Sequence, residues 1–276
     1  MKRLIATYII FALATVAMAQ KRLVILHTND THSCVTPLNP NLADTMLAGR
    51  GGFLRRAEMI RRERKDAPKL LLLDSGDFSQ GSPYYNIYKG EVEVELMNIM
   101  GYDAATIGNH EFDFGLENMA RLFKMAKFPI VCANYDFTGT PVEGLVKPYV
   151  IIRRNGLKIG IFGLSPALEG LVLANNCKGV RYNDPIEVAK RMARLLKEEK
   201  KCDLVVCLSH LGWDIKGTDD TEMMSGTRFI DIVLGGHSHS YFKQLQYKKN
   251  LDGKPVPNDQ NGKHGVFVGK IVLEMK

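Results

Sequence analysis

A chain of 276 residues, 45% hydrophobic and 24% charged, has the makeup of a globular protein large enough to bury its own core. That composition excludes a disordered or fibrous chain. Its 37 basic and 30 acidic side chains leave a formal charge of +7, a mild positive field that favours phosphorylated substrates without identifying one.

The N-terminus reads as an export signal. Lys2 and Arg3 precede an apolar run from Leu4 to Val16, and Ala17-Met18-Ala19 supplies a small-x-small cleavage pattern. The run is shorter than the ~20 residues that cross a bilayer, and no cysteine follows the cut to carry a lipid. We therefore expect a signal peptide over residues 1–19 and a mature chain of residues 20–276, one domain without linker or repeat, periplasmic or secreted. Its charge falls to +5 without Lys2 and Arg3. Five cysteines with no C-x-x-C spacing argue against a disulfide framework. The basic residues cluster in the run from Arg55 to Lys65 and near the C-terminus, where a solvated helix face and a charged hairpin account for them. They are not interleaved with aromatics in one tract, so no nucleic-acid role is expected.

In chain order, Lys21 to Leu26 predicts a buried strand ending at His27-Thr28-Asn29-Asp30-Thr31-His32. If extended backbone continues through that hexapeptide, Asp30 and His32 project to one side and can share an ion. Cys34 to Arg50 reads as a surface loop. Gly51-Gly52 opens an amphipathic helix from Phe53 to about Lys65, with Leu54, Ala57 and Ile60 on its apolar side. Lys69 to Leu73 is a second apolar strand, running into Asp74-Ser75-Gly76-Asp77. A helix through Val94, Met97 and Met100 leads to a third, Ala104 to Ile107, which ends at Gly108-Asn109-His110-Glu111-Phe112-Asp113.

A helix from Leu116 to about Lys127 precedes a strand from Ile130 to Asn134, and residues 135–149 read as loop. Arg154-Asn155-Gly156 predicts a tight hairpin between Val150–Arg153 and Leu157–Phe162. Asp184 and Pro185 mark a helix start. Leu204 to Leu208 and Ile230 to Leu234 are further apolar strands, ending at Ser209-His210 and at Gly235-Gly236-His237-Ser238-His239. Tyr241 to Tyr247 and Gly265 to Glu274 read as closing strands around a turn-rich segment.

Besides His27, five of the seven histidines thus lie at the carboxyl ends of apolar strands, where open α/β sheets carry their chemistry. Candidate metal ligands are Asp30, His32, Asp77, Asn109, His210, His237 and His239. Seven groups are too many for one tetrahedral ion and suit two ions sharing a carboxylate. Mixed nitrogen and oxygen donors without thiolate point to Mn²⁺, Zn²⁺, Fe or Co²⁺ rather than Ca²⁺ or copper. His110 can act on a proton or steady an anion, and Asp113 is close enough to hold its tautomer.

D-x-H, G-D-x-x-x-G-S, G-N-H-E-F-D, S-H-x-G and G-H-S-H, in this order across nearly the whole mature chain, resemble the calcineurin-like metallophosphoesterases. L-H-T-N-D-T-H, G-G-F-L-R and G-N-H-E-F-D-F-G are similar to its 5′-nucleotidase, UDP-sugar hydrolase and cyclic-nucleotide phosphodiesterase branch. The resemblance implies an α/β (α+β) fold, a four-layer αββα sandwich of two packed mixed sheets flanked by helices. It also implies that Asp30, His32 and His239 hold one divalent ion, that Asn109, His210 and His237 hold the second, and that Asp77 bridges them. His110, oriented by Asp113, would steady the phosphoryl oxygen or assist the leaving group.

The activity expected is hydrolysis of 5′-nucleotides or related phosphate esters by metal-activated water. Cleavage of cyclic nucleotides or nucleotide sugars is the alternative within the same chemistry, and a metal-binding subunit without turnover the alternative outside it. Longer members of the branch continue into a domain that sandwiches the nucleotide base. This sequence ends before one, so either a separate chain supplies the base pocket or the specificity is broader.

Overall fold

The computed structural model describes residues 21–275, so the segment expected to be a signal peptide lies outside the described residues. The first half of the chain carries β1 (Lys21–Thr28), β2 (Leu71–Asp74), β3 (Ala104–Ala105), β4 (Ile130–Val131), β5 (Tyr135–Asp136) and β6 (Val146–Lys147). The second carries β7 (Tyr149–Arg154), β8 (Leu157–Leu164), β9 (Arg181–Tyr182), β10 (Leu204–Ser209) and β11 (Ile232–Leu234), followed by β12 (Gln246–Lys249), β13 (Pro255–Asp259) and β14 (Gly269–Met275). Between them lie helices α1 (Phe53–Asp66), α2 (Pro83–Tyr88), α3 (Glu91–Met100), α4 (Gly115–Met125), α5 (Pro185–Arg194) and α6 (Asp220–Ser225). Among the described residues no helix is long and apolar enough to cross a membrane.

Two six-stranded mixed sheets result, ordered β14-β1-β2-β3-β4-β6 and β12-β13-β11-β10-β8-β7. The inner strands are parallel, and within these sheets antiparallel pairing is confined to β14 on β1, β12 on β13 and β7 on β8. The expected hairpin is present, Asn155 and Gly156 both having positive φ, as its two-residue turn requires.

The continuous apolar runs have a simple cause: each inner strand is covered on both faces. In β1, Leu23 and Ile25 enter a core shared with Ile159, Ile161, Val206 and Leu234 of the other sheet. Val24 and Leu26 point the opposite way, into a core with Ile60, Val94, Met97 and Met119 of α1, α3 and α4. The second sheet repeats this division. Val206 and Leu208 face the first sheet, while Val205 and Cys207 pack on Val188, Met192 and Met223 of α5 and α6. Three apolar cores separate four layers, the αββα sandwich expected. Asp184 caps α5 by accepting from the backbone of Ile186 at 2.8 Å, with Pro185 at the first helical position.

Four local expectations are corrected. The strand after α4 stops at Val131, because Asn134 leaves the ladder to pair with Ser165 through both its amide groups. Residues 135–149 contain β5 and β6 rather than loop alone. Near the C-terminus, β13 falls in the segment read as turns. Its prolines speak against a strand, but pairing with β11 uses only Asn258 and Asp259, beyond both of them. The closing strands correspondingly shift to Gln246–Lys249 and Gly269–Met275. In α1, Leu54 is 78% exposed and Arg56 is buried, the reverse of its apolar pattern. Arg56 turns inward, where its charge lies near buried Asp74 and Tyr102.

Ile161 is fully buried between the sheets. Ile161→Ala is expected to lower the unfolding free energy by about 2–5 kcal/mol, read as a lower urea midpoint with native far-UV circular dichroism below it.

Candidate metal centre

The carboxyl ends of the parallel strands in both sheets meet at one end of the sandwich. Asp30 follows β1, Asp77 follows β2, Asn109 follows β3, His210 follows β10, and His237 and His239 follow β11. Their side chains form three overlapping sets of convergent donor atoms: Asp30, His32 and His239; His32, Asp77 and His110; and Asp77, His210 and His237. Asp77 and His32 each belong to two sets, so the grouping is one continuous centre.

Asp30 and His32 do not converge by extended backbone. Both have left-handed φ, 48° and 41°, as do Asp77 at 55°, His237 at 71° and His239 at 55°. Such conformations cost non-glycine residues of order 1–3 kcal/mol each and persist where the surroundings over-determine them. Glycine gives the loops room to close. A Cβ on Gly108 would collide with the Asp77 carboxylate, and one on Gly236 would lie 3.0 Å from His210 Nδ1 and 3.1 Å from Asp30 Oδ2.

The donor atoms are aimed at shared space and only partly paired. His32 Nε2 and His239 Nε2 approach to 2.9 Å. His239 Nε2 and His32 Nε2 stand 3.5 and 3.8 Å from Asp30 Oδ1. His210 Nε2 lies 3.1 Å from Asp77 Oδ2 without the alignment of a hydrogen bond, and both it and Asn109 Oδ1 are buried with no hydrogen-bond partner. Buried polar atoms are ordinarily satisfied. A cluster of carboxylate, amide and imidazole donors left open around shared space is what a divalent cation takes up. His210 Nδ1 donates to the Ser75 carbonyl at 2.7 Å, which fixes its tautomer and turns Nε2 inward.

The electrostatics agree. Burial pushes the Asp30 carboxyl up to about 7 against the pull of His210. Burial also acts to raise Asp77, but His210 beside it outweighs that and holds the carboxyl well below the usual range. For His210 burial opposes the charge, yet contact with Asp77 carries it up to about 10. His32 is lowered to about 3 and His237 and His239 to about 4, burial being the main cause in each. Three neutral imidazoles therefore offer lone pairs, and a cation entering the centre would displace the proton of the fourth.

His110 and Asp113 sit at the mouth of the centre on a 3₁₀ turn, about a third exposed, with Nδ1 3.0 Å from Asp113 Oδ2. Tyr85 holds the turn through its hydroxyl, which donates to the His110 carbonyl at 3.1 Å. Two residues here were missed by sequence reasoning. Glu111 is buried and accepts three backbone N–H groups, from Asp77 at 3.0 Å, Ser79 at 3.1 Å and Gly108 at 2.6 Å, tying the loop after β2 to the loop after β3. Its only signal is a carboxylate inside a glycine-led turn. His264, whose ring lies 5.9 Å from that of His32, donates its backbone N–H to the Asp30 carbonyl at 2.7 Å. It lies at no strand end, so the pattern that found the others passes over it.

Residues 23–241 match the family model for calcineurin-like phosphoesterases. The chain belongs to that family. It is 33% identical to the 5′-nucleotidase of Homo sapiens over 91% of this chain and 46% of that one. It is 28% identical to the trifunctional nucleotide phosphoesterase protein YfkN of Bacillus subtilis (strain 168), over 90% of this chain and 18% of that one. The crystal structure of the 5′-nucleotidase precursor from Thermus thermophilus superposes with a TM-score of 0.82 at 31% identity, covering 91% of this chain and 51% of that one. The chain thus spans less than half the length of either curated relative.

Removing the Glu111 carboxylate orphans three buried backbone donors. Glu111→Ala is expected to lower the stability of the metal-free protein by about 2–4 kcal/mol, a loss that calorimetric unfolding measures.

Proposed function

We propose that this member of the phosphoesterase family is a phosphohydrolase that holds two divalent cations and removes phosphate from 5′-nucleotides or related esters. The observation that carries the reading is the overlap of three donor sets through Asp77 and His32, with the His110–Asp113 pair at their edge. Asp30, His32 and His239 would hold one cation and Asn109, His210 and His237 the other, with Asp77 touching both. Bound there, divalent cations supply Lewis acidity, making water nucleophilic near neutral pH and withdrawing charge from a phosphoryl group.

The chain's own residues do the rest. Burial opposes charge on His110, but Asp113, which accepts a hydrogen bond from Nδ1–H, and nearby Asp77 outweigh it and raise the imidazole above its ordinary range. That favours the imidazolium, with an Nε2–H available to the centre. From there His110 steadies the phosphoryl oxygen as charge builds, or passes a proton to the leaving oxygen. Asp77 Oδ1 accepts the His110 backbone N–H at 2.9 Å, which sets the distance between this dyad and the cation ligands.

The substrate belongs to the proposal as well, because the curated relatives named above are more than twice as long as the region they share with this chain. A broader phosphoesterase acting on diesters and nucleotide sugars is the second reading. It is favoured by the likeness to a protein described as a trifunctional nucleotide phosphoesterase. A separate chain supplying a base pocket would narrow that range. Residues 1–19 direct the chain out of the cytoplasm in this reading, and the remainder acts as a single catalytic domain.

A panel of a chromogenic monoester, its diester, 5′-nucleotides and nucleotide sugars, run with and without chelator on protein of measured metal content, tests the proposal. Hydrolysis abolished by chelator and restored by Mn²⁺ or Zn²⁺ is expected; metal-loaded protein inert on the whole panel overturns it. His110→Ala should lower kcat by about 10²–10⁴ with metal content unchanged. Asp77→Ala should lose both activity and metal.

A further inference from the structure

Among the side chains to which no role has been given, Asn29 makes the most consequential contacts. It is 1% exposed and lies between the end of β1 and Asp30. Its Nδ2 donates to Asp30 Oδ2 at 2.6 Å and to the Gly262 carbonyl at 2.9 Å, and its Oδ1 accepts from the Asn261 backbone N–H at 2.9 Å. The three contacts agree on one orientation of the amide, because the flipped form sets oxygen against two acceptors and nitrogen against a donor.

The consequence falls on Asp30. Oδ2 accepts a hydrogen bond from Asn29 Nδ2, and the His237 backbone N–H, at 3.0 Å from Oδ2 and 3.2 Å from Oδ1, steadies the whole carboxylate. Oδ1 is then the oxygen left toward the imidazoles, with His239, His32 and His210 Nε2 at 3.5, 3.8 and 3.9 Å. A neutral amide suits this task. A lysine or arginine in its place would also orient the carboxylate but would cancel the charge that a cation needs.

Asn29 is itself rigidly held. The loop after β13 that grips it is fastened to β1 from behind, since Asn261 Nδ2 lies 3.1 Å from His27 Nδ1, and His27 Nε2 lies 2.9 Å from Asp259 Oδ2. The loop after β13 of the second sheet is thereby locked onto the first ligand of the first sheet.

We propose that Asn29 is a positioning residue for the cation held by Asp30, His32 and His239, selecting which oxygen of Asp30 is offered; this rests on the two-cation reading above. Partners of metal ligands of this kind typically change affinity by about 10–100-fold when removed. The effect should fall on one cation and spare the other, whose ligands Asn29 does not touch.

The test is calorimetric titration of the metal-free protein with Mn²⁺, beside thermal unfolding in the absence of metal. Wild type should take up two equivalents. Asn29→Ala should bind one with wild-type affinity and the other about 10–100-fold more weakly. Asn29→Ser, too short to reach Asp30 Oδ2 and well suited to a turn, should do the same where alanine fails to fold. Ile161→Ala, in the core between the sheets and away from these contacts, should lower the melting temperature while leaving both equivalents unchanged. Folded Asn29 variants with two wild-type equivalents, or with both weakened alike, overturn the inference. Wild type that takes up fewer than two equivalents sinks the two-cation reading instead.

Discussion

Asp77 is a fully buried carboxylate reached from both halves of the sandwich. His210 of the second sheet stands 3.1 Å from one of its oxygens, and the His110 backbone of the first donates to the other. Placing a negative charge in such surroundings is costly unless it is paired. The chain compounds that cost with a second buried acid, Asp30, and with left-handed backbone at five of the ligand positions. Folding tolerates the arrangement because each loop is pinned elsewhere: Glu111 clamps two of them, Ser75 orients His210, and Asn29 braces Asp30. The apolar cores on either side of each sheet supply the rigidity that holds these side chains convergent.

Much of this was legible in the residues themselves. The runs Leu23–Leu26, Leu70–Leu73 and Val205–Leu208 fit buried strands and are strands covered on both faces, and the polar residues at their carboxyl ends meet. Asn155-Gly156 and Asp184-Pro185 announced their turn and cap because those signals are local. What stayed hidden depends on distant contacts. No local rule says that Asp30 and His32 leave extended backbone, since the bonds from Asp30 N to Gly76 O and from His32 N to Asp77 O join separate strand ends. Nor does periodicity show that Arg56 turns inward while Leu54 faces solvent, because the groups near its charge lie on other elements. β13 escaped notice for a related reason: its prolines are harmless only given which of its residues pair with β11.

Family membership and the shared fold fit this division. The likeness to longer 5′-nucleotidases covers the sandwich and its strand-end centre, while the rest of those proteins lies outside the shared region. In the reaction proposed above, the end of the sandwich would face the phosphate ester, and the choice among esters would depend on whatever contacts the leaving group.

β14 pairs with β1, more than two hundred residues earlier, in seven registered positions from Lys21–Met275 to His27–Gly269, and the Asn29 brace comes from the loop just before it. Asp30 therefore gains its full support only once the segment from Asn261 through β14 has joined β1, and contacts so far apart along a chain form slowly.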